Sequence, residues 1–286
     1  MSRWSNRRQR FREILETQHC VYPASVYDPI SARIAEHLGY EMGMYAGSLA
    51  SLAVLAAPDL ILLTMTEFAE QAHRIGRASE LPLFADADHG YGNALNVKRT
   101  VEELEAAGLA GLAIEDTNLP QPFGSGGKAS LLSIEEGVGK MQAALAGRSD
   151  PNLVIAGRTS AAQLTSIEDA IARCKAYVAA GVDAIFLVGV PTREALETIA
   201  GEISVPLLLG GGAKDMRDPP WLAAQGARFL LRGHDSFTAS VQAIHDTMKA
   251  LRDGVAPEDI TGTASGDLMR AVTQGEDYAR QGKDWL

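Results

Sequence analysis

The chain has 286 residues, 46% hydrophobic and 22% charged, a length ordinary for a single α/β barrel with ample material for a core. A formal net charge of -10 argues against nucleic acid or an anionic membrane as partner, while leaving room for an anionic substrate held by a local metal or Arg. Its two cysteines, Cys20 and Cys174, are far apart and offer neither metal-ligand spacing nor a disulfide framework, so a reducing cytoplasm is expected.

The run 1–12 is Arg-rich but leads into no apolar segment of the kind a secretory signal needs. Phe11, Ile14 and Leu15 mark an amphipathic first helix instead. No apolar run approaches the ~20 residues that span a bilayer, and a soluble protein is expected. Short apolar strands are predicted over 21–26, 41–46, 81–85, 109–114, 153–156, 182–188, 206–209 and 227–231. Helical stretches separate them, notably 66–78, 94–107, 134–146, 167–180, 194–199 and 235–251. Four of the strands follow a helix end marked by Gly39, Gly108, Gly181 or Gly226, a weak internal repeat. Ser133 with Glu136, and Ser166 with Asp169, supply helix starts.

Short apolar strands alternating with helices imply a parallel sheet buried on both faces. Eight such units in one chain predict an α/β fold, a closed (β/α)8 TIM barrel forming one catalytic domain over 1–253. A dinucleotide-binding turn after the first strand is missing; Ser25-Val26-Tyr27-Asp28-Pro29 stands there. The segment 254–286 reads as a linker (254–260) and a polar helix (266–281) with too few apolar positions to stand alone.

Chemistry in such barrels collects at the carboxyl ends of the strands. Those positions carry Ser48, then Asp86 and Asp88, then Glu115 and Asp116, then Arg158, then His234, with Asp59 in the loop after the second strand. Asp86 and Asp88, at i and i+2, project to one side, where they either ligate a hard divalent ion or cap the following helix and its turn. Several carboxylates facing one cavity repel unless a cation sits among them, which favours the metal. Arg158 is the natural fork for a substrate carboxylate. Asp116 is expected to pair with a basic side chain as a structural group. His89 is expected to serve behind the site or in the turn. No Lys stands at these strand ends and no Ser-His-Asp or Cys-His arrangement is evident, which argues against covalent catalysis.

Asp86-Ala87-Asp88-His89-Gly90-Tyr91-Gly92, Ile114-Glu115-Asp116 and Gly157-Arg158-Thr159 resemble the isocitrate lyase and phosphoenolpyruvate mutase superfamily, over roughly 20–245. The resemblance implies Mg2+ (Mn2+ as an alternative) held by Asp86 directly and by Asp88, Glu115 and Asp59 directly or through water. It also implies an α-keto acid contacted by Ser48 and Arg158. Lyases and mutases of the superfamily carry a Lys-(Lys/Arg)-Cys-Gly-His gating loop after the fourth strand, with its Cys the catalytic acid in lyases. Here that run is Pro120-Gln121-Pro122-Phe123-Gly124-Ser125-Gly126-Gly127-Lys128, without Cys, His or a basic pair. This departure resembles the oxaloacetate decarboxylase branch. Also similar to that branch are the segment 25–33, Glu135-Glu136-Gly137-Val138-Gly139-Lys140, and His234, whose equivalent there faces the substrate.

The implied reaction is Mg2+-dependent decarboxylation of oxaloacetate to pyruvate and carbon dioxide through a metal-stabilised enolate. Arg158 orients the substrate, and His234 contacts the departing carboxylate or delivers a proton. The resemblance further implies a homo-oligomer, a dimer of dimers, with the terminal helix exchanged between subunits. Cleavage of a C–C or P–C bond in a related α-keto or 2-hydroxy acid is the alternative within the superfamily. A keto-acid-binding barrel without catalysis is the alternative outside it.

Overall fold

The computed structural model describes residues 3–286. Among them eight strands form one sheet in sequence order, every neighbouring pair parallel: β1 (Ala24–Ser25), β2 (Gly43–Ala46), β3 (Leu83–Asp86), β4 (Gly111–Glu115), β5 (Val154–Thr159), β6 (Ala184–Leu187), β7 (Leu207–Leu209) and β8 (Ala227–Leu230). Val21 closes the ring. Its N–H donates to the Arg228 carbonyl at 2.9 Å, and its carbonyl accepts from the Leu230 N–H at 3.0 Å. The (β/α)8 barrel expected from the alternation of elements is what the chain forms.

The helices that separate the strands begin and end where local chemistry dictates. They are α2 (Pro29–His37), α3 (Gly47–Ala50), α4 (Met65–Ala78), α5 (Ala94–Ala106), α6 (Ile134–Gly147), α7 (Ala161–Leu164), α8 (Ile167–Ala180), α9 (Arg193–Ala200) and α10 (Pro219–Ala224), preceded by α1 (Arg3–Glu16). Ser133 and Ser166 each accept a hydrogen bond from the backbone N–H three residues on, capping α6 and α8. Gly39, Gly108, Gly181 and Gly226 adopt φ of 79°, 95°, 105° and 78°, the left-handed conformation that ends a helix and sends the chain into the next strand.

Alternation along the strands sorts side chains into two cores. Outward-facing residues such as Leu83, Ala85, Leu112, Ile155 and Ile185 pack beneath the helices. Inward-facing residues fill the barrel: Phe84, Phe186 and Phe229 meet edge-on with ring centres 5.4 to 5.9 Å apart. Phe11 of α1 closes one end of this stack, 5.5 Å from Phe84. Full burial of each aromatic stabilises the fold by roughly 1.5–3 kcal/mol. Two residues beyond inward-facing Phe84, Ala113 and Ala156 come Asp86, Glu115 and Arg158, so the two-residue period of a strand puts these charged groups in the next layer up.

The carboxyl-terminal part departs from the expected single helix on a linker. The eighth helix, α11 (Asp235–Arg252), has no buried residue, and Val241, Ile244, Met248 and Leu251 form an exposed apolar stripe along it. The chain then returns as α12 (Gly266–Val272) and α13 (Gly275–Trp285), separated by Gln274 in the left-handed region at φ 55°. Val272 of α12 is buried, and α12 packs against α2 of the same chain. α11, within the predicted 1–253 unit, thus leaves its apolar stripe uncovered, while the segment after it touches α2 through α12. Among the described residues no helix is long and apolar enough to cross a membrane.

Candidate active site

A cavity of about 300 Å³ opens at the carboxyl ends of the strands, lined by Ser48, Asp59, Asp86, Asp88, Glu115 and Arg158 together with Leu60, Ile61, Leu119, Pro120 and Gln121. Six of the seven residues singled out in the sequence for binding, catalysis or metal thus share one wall. The seventh, His234, stands at the β8–β1 seam outside that lining.

Register explains the convergence. Asp86 lies opposite Ala46 of β2 and Ala113 of β4, and Glu115 lies opposite Arg158. The guanidinium of Arg158 pairs with Asp86 through Nη1 and with Glu115 through Nη2, the latter at 3.0 Å. Its carbon rests 5.9 Å above the Phe186 ring, which joins the charged layer to the aromatic one.

The turn after β3 carries Asp88 with φ 49° and Tyr91 with φ 60°, left-handed conformations that non-glycine residues seldom adopt. Asp88 reaches back over β2, where its carboxylate lies against Gly47; a Cβ there would sit 2.7 Å from Asp88 Cγ. Glycine at 47 is thus a steric requirement of Asp88. Ser48 follows at once on the cavity wall. After α3 the helix widens into a π-helical turn, Ser51–Leu55, ended by Ala56 at φ 52°, and the chain then brings Asp59 to the rim.

Four carboxylates around one guanidinium leave an excess of negative charge. Burial, then the neighbouring Asp86 and Glu115, hold the Asp88 carboxyl well above its usual range, with Arg158 opposing. Burial chiefly pushes Glu115 up to about 7 against the pull of Arg158. Desolvation and then Asp86 raise Asp59. Asp86 Oδ1 and Arg158 Nε are both buried without a hydrogen-bond partner. An acceptor and a donor left open, beside carboxylates disfavoured in their charged form, fit a site completed by a cation and an anionic ligand. Among the described residues no three carboxylate, imidazole or thiol groups form a ready-made metal cage.

His234 precedes α11 and is half-buried, with Nδ1 2.7 Å from Ser25 Oγ of β1. Burial lowers its pKa, partly offset by Asp86 and Asp235. Asp116 points away from the cavity. Fully buried, it accepts from Tyr177 Oη at 2.7 Å and from Arg173 Nη1 at 3.1 Å, the structural pairing its sequence position suggested. His89 is buried behind the site, and desolvation, aided by Lys140, brings its pKa down to about 4. Cys174 lies buried in α8, remote from the chemistry. The loop after β4 is pinned at its base by an antiparallel bridge between Thr117 and Leu131, while Phe123 at its tip is fully exposed.

Sequence reasoning passed over Gly47, whose signal was its place beside Ser48 at a strand end. The apolar wall formed by Leu60, Ile61 and Leu119 carried no sequence signal beyond lying in the two loops concerned.

A sequence profile for phosphoenolpyruvate phosphomutase matches residues 11–252. An oxaloacetate decarboxylase of Bradyrhizobium diazoefficiens is 54% identical over 281 residues, covering 98% of this chain and 97% of that one. A solved phosphonopyruvate hydrolase in complex with oxalate and Mg2+ superimposes with a TM-score of 0.83 at 28% identity, covering 98% of this chain and 99% of the other. Oxaloacetate acetylhydrolase with the inhibitor 3,3-difluorooxalacetate superimposes at 0.84 with 26% identity, over 98% and 97% of the two chains.

Proposed function

The chain belongs to the phosphoenolpyruvate phosphomutase family, and from that premise we propose that it decarboxylates oxaloacetate to pyruvate and carbon dioxide in a Mg2+-dependent reaction. The observation that carries this reading is the convergence of Asp59, Asp86, Asp88 and Glu115 with Arg158 and Ser48 around one cavity, beside a β4 loop without Cys, His or a basic pair. The near-full-length likeness to an oxaloacetate decarboxylase supports the choice of substrate.

Asp86 would hold the ion directly, with Asp88, Glu115 and Asp59 acting through water. When bound, Mg2+ supplies Lewis-acid polarisation of the keto group and charge stabilisation as the carboxylate departs. Arg158 would hold a substrate carboxylate with the guanidinium that lines the cavity, and Ser48 would add a hydroxyl from the start of α3. Leu60, Ile61 and Leu119 add apolar surface to the mouth of the cavity. Were the Ser25 hydroxyl to donate to Nδ1, the neutral His234 ring would carry its proton on Nε2. In this reading His234, at the β8–β1 seam beside the cavity, would contact the leaving carboxylate or protonate C3.

A homo-oligomer, a dimer of dimers, is part of the same proposal, supported by the uncovered apolar stripe on α11. A reducing, cytoplasmic location is supported by the two buried, unpaired cysteines. The test is turnover of oxaloacetate by purified protein in MgCl2, set against phosphonopyruvate, isocitrate and 2-methylisocitrate. Loss of turnover in EDTA and its return with Mg2+ are expected. Faster cleavage of another acid in the panel assigns the chain to a different lyase or hydrolase of the family, and tight oxalate binding without turnover assigns it to ligand binding alone.

A further inference from the structure

The turn that sets Asp86 and Asp88 is held from outside in an unusual way. Four successive carbonyls each have their own donor. Ala87 O accepts from the Gly90 N–H at 3.0 Å, and Asp88 O from the Glu115 N–H at 2.9 Å. His89 O accepts from Lys140 Nζ at 2.8 Å, and Gly90 O from Thr100 Oγ1 at 3.1 Å. The donors come from the turn itself, β4, α6 and α5. Four residues between β3 and α5 have positive φ: Asp88, Gly90, Tyr91 and Gly92 at 49°, 75°, 60° and 147°. Such conformations in non-glycine residues persist only when their surroundings over-determine them.

One of the four donors is charged. Lys140 is 3% exposed, and burying an ammonium is costly unless its charge is used. Its neighbours by electrostatic reach are Glu136 of α6, Glu115 of β4 and Asp116 just after it. The Glu115 N–H that binds Asp88 and the ammonium that binds His89 therefore clamp the acidic turn from two adjacent sides.

We propose that Lys140 is a positioning residue for cation binding, fixing through the His89 carbonyl the turn that presents Asp86 and Asp88. This rests on the reading of those carboxylates as the Mg2+ site. Loss of a positive charge near the cluster would by itself tighten binding of a cation, whereas loss of positioning weakens it, so the sign of the change separates the two.

The experiment is calorimetric titration of MgCl2 into wild type, Lys140→Met and Lys140→Arg, with circular dichroism confirming the fold. The expected result is a rise in the Mg2+ Kd of roughly 10–100-fold for Lys140→Met. Lys140→Arg returns to within a few-fold of wild type, and kcat for Lys140→Met recovers at saturating Mg2+ while the Mg2+ requirement stays high. Equal or tighter binding by a folded Lys140→Met overturns the proposal. Should Lys140→Met fail to fold, Lys140→Gln is read in its place, and failure of both to fold assigns Lys140 to stability and overturns it too. A wild type that binds no Mg2+ instead refutes the metal reading on which this rests.

Discussion

Replacing Gly47 by Ala tests the site with one methyl group. The added Cβ would lie 2.7 Å from Asp88 Cγ and 2.5 Å from one of its oxygens, roughly 1 Å inside ordinary contact. Gly47 is not left-handed, so the backbone accepts Ala without strain, and Ala gains about 0.5–1 kcal/mol over Gly in a helix. Overpacking costs roughly 1–3 kcal/mol, which leaves a net loss of stability of at most about 2.5 kcal/mol. The carboxylate must move by about 1 Å, and a displacement of that size costs roughly 100-fold in a positioned reaction. Urea unfolding in EDTA should therefore show a loss of no more than about 2.5 kcal/mol, while Mg2+-dependent turnover of oxaloacetate falls about 100-fold. Adding Gly47→Ala to Asp88→Ala should cost nothing further, because the clash is gone. Wild-type turnover and Mg2+ affinity in Gly47→Ala would refute the reasoning, since Asp88 would then not need the position it occupies.

Arg158→Met removes the guanidinium that answers Asp86 and Glu115. At about pH 8 in EDTA, urea unfolding should show a loss of about 3 kcal/mol, with turnover down at least ~100-fold at any Mg2+ concentration; unchanged stability would show the pairing to be idle. Glu115, raised to about 7 chiefly by burial, must shed its proton to face a cation. Mg2+ affinity should accordingly climb as pH rises towards 7 and level off above it, with proton release seen by calorimetry in two buffers below pH 7; a flat profile would contradict the assignment. Asp116→Asn breaks the fully buried pair with Arg173, and thermal unfolding should report a loss of roughly 3–5 kcal/mol with kcat of the folded enzyme kept. A low kcat with intact stability would move Asp116 into the chemistry.

Most of the fold was legible because each strand is a short apolar run and four helix ends are marked by Gly. The strand-end carboxylates were legible for the same reason: once the strands are placed, their last residues are too. What a single sequence lacks is register and facing. That Arg158 lies between Asp86 and Glu115 depends on the stagger of β3, β4 and β5. That Lys140 of α6 meets the His89 carbonyl depends on how α6 docks. Val241, Ile244, Met248 and Leu251 repeat at helical spacing and read as a core face; whether that face meets its own barrel is not local information, and here it does not. The polar tail broke into two helices at Gln274, whose side chain gives little warning of a left-handed residue. His234 was placed correctly after the last strand, but the cavity wall stops short of it.

The barrel is stitched unevenly. Its first strand is two residues long and joins the last through Val21, whereas β4 and β5 run together over five paired residues. Thermal breathing should thus part the staves beside Ser25 and His234 before it disturbs those bearing Glu115 and Arg158. The wall that must stay still to hold charge is the taut one, and the slack seam lies where no charge has to be held.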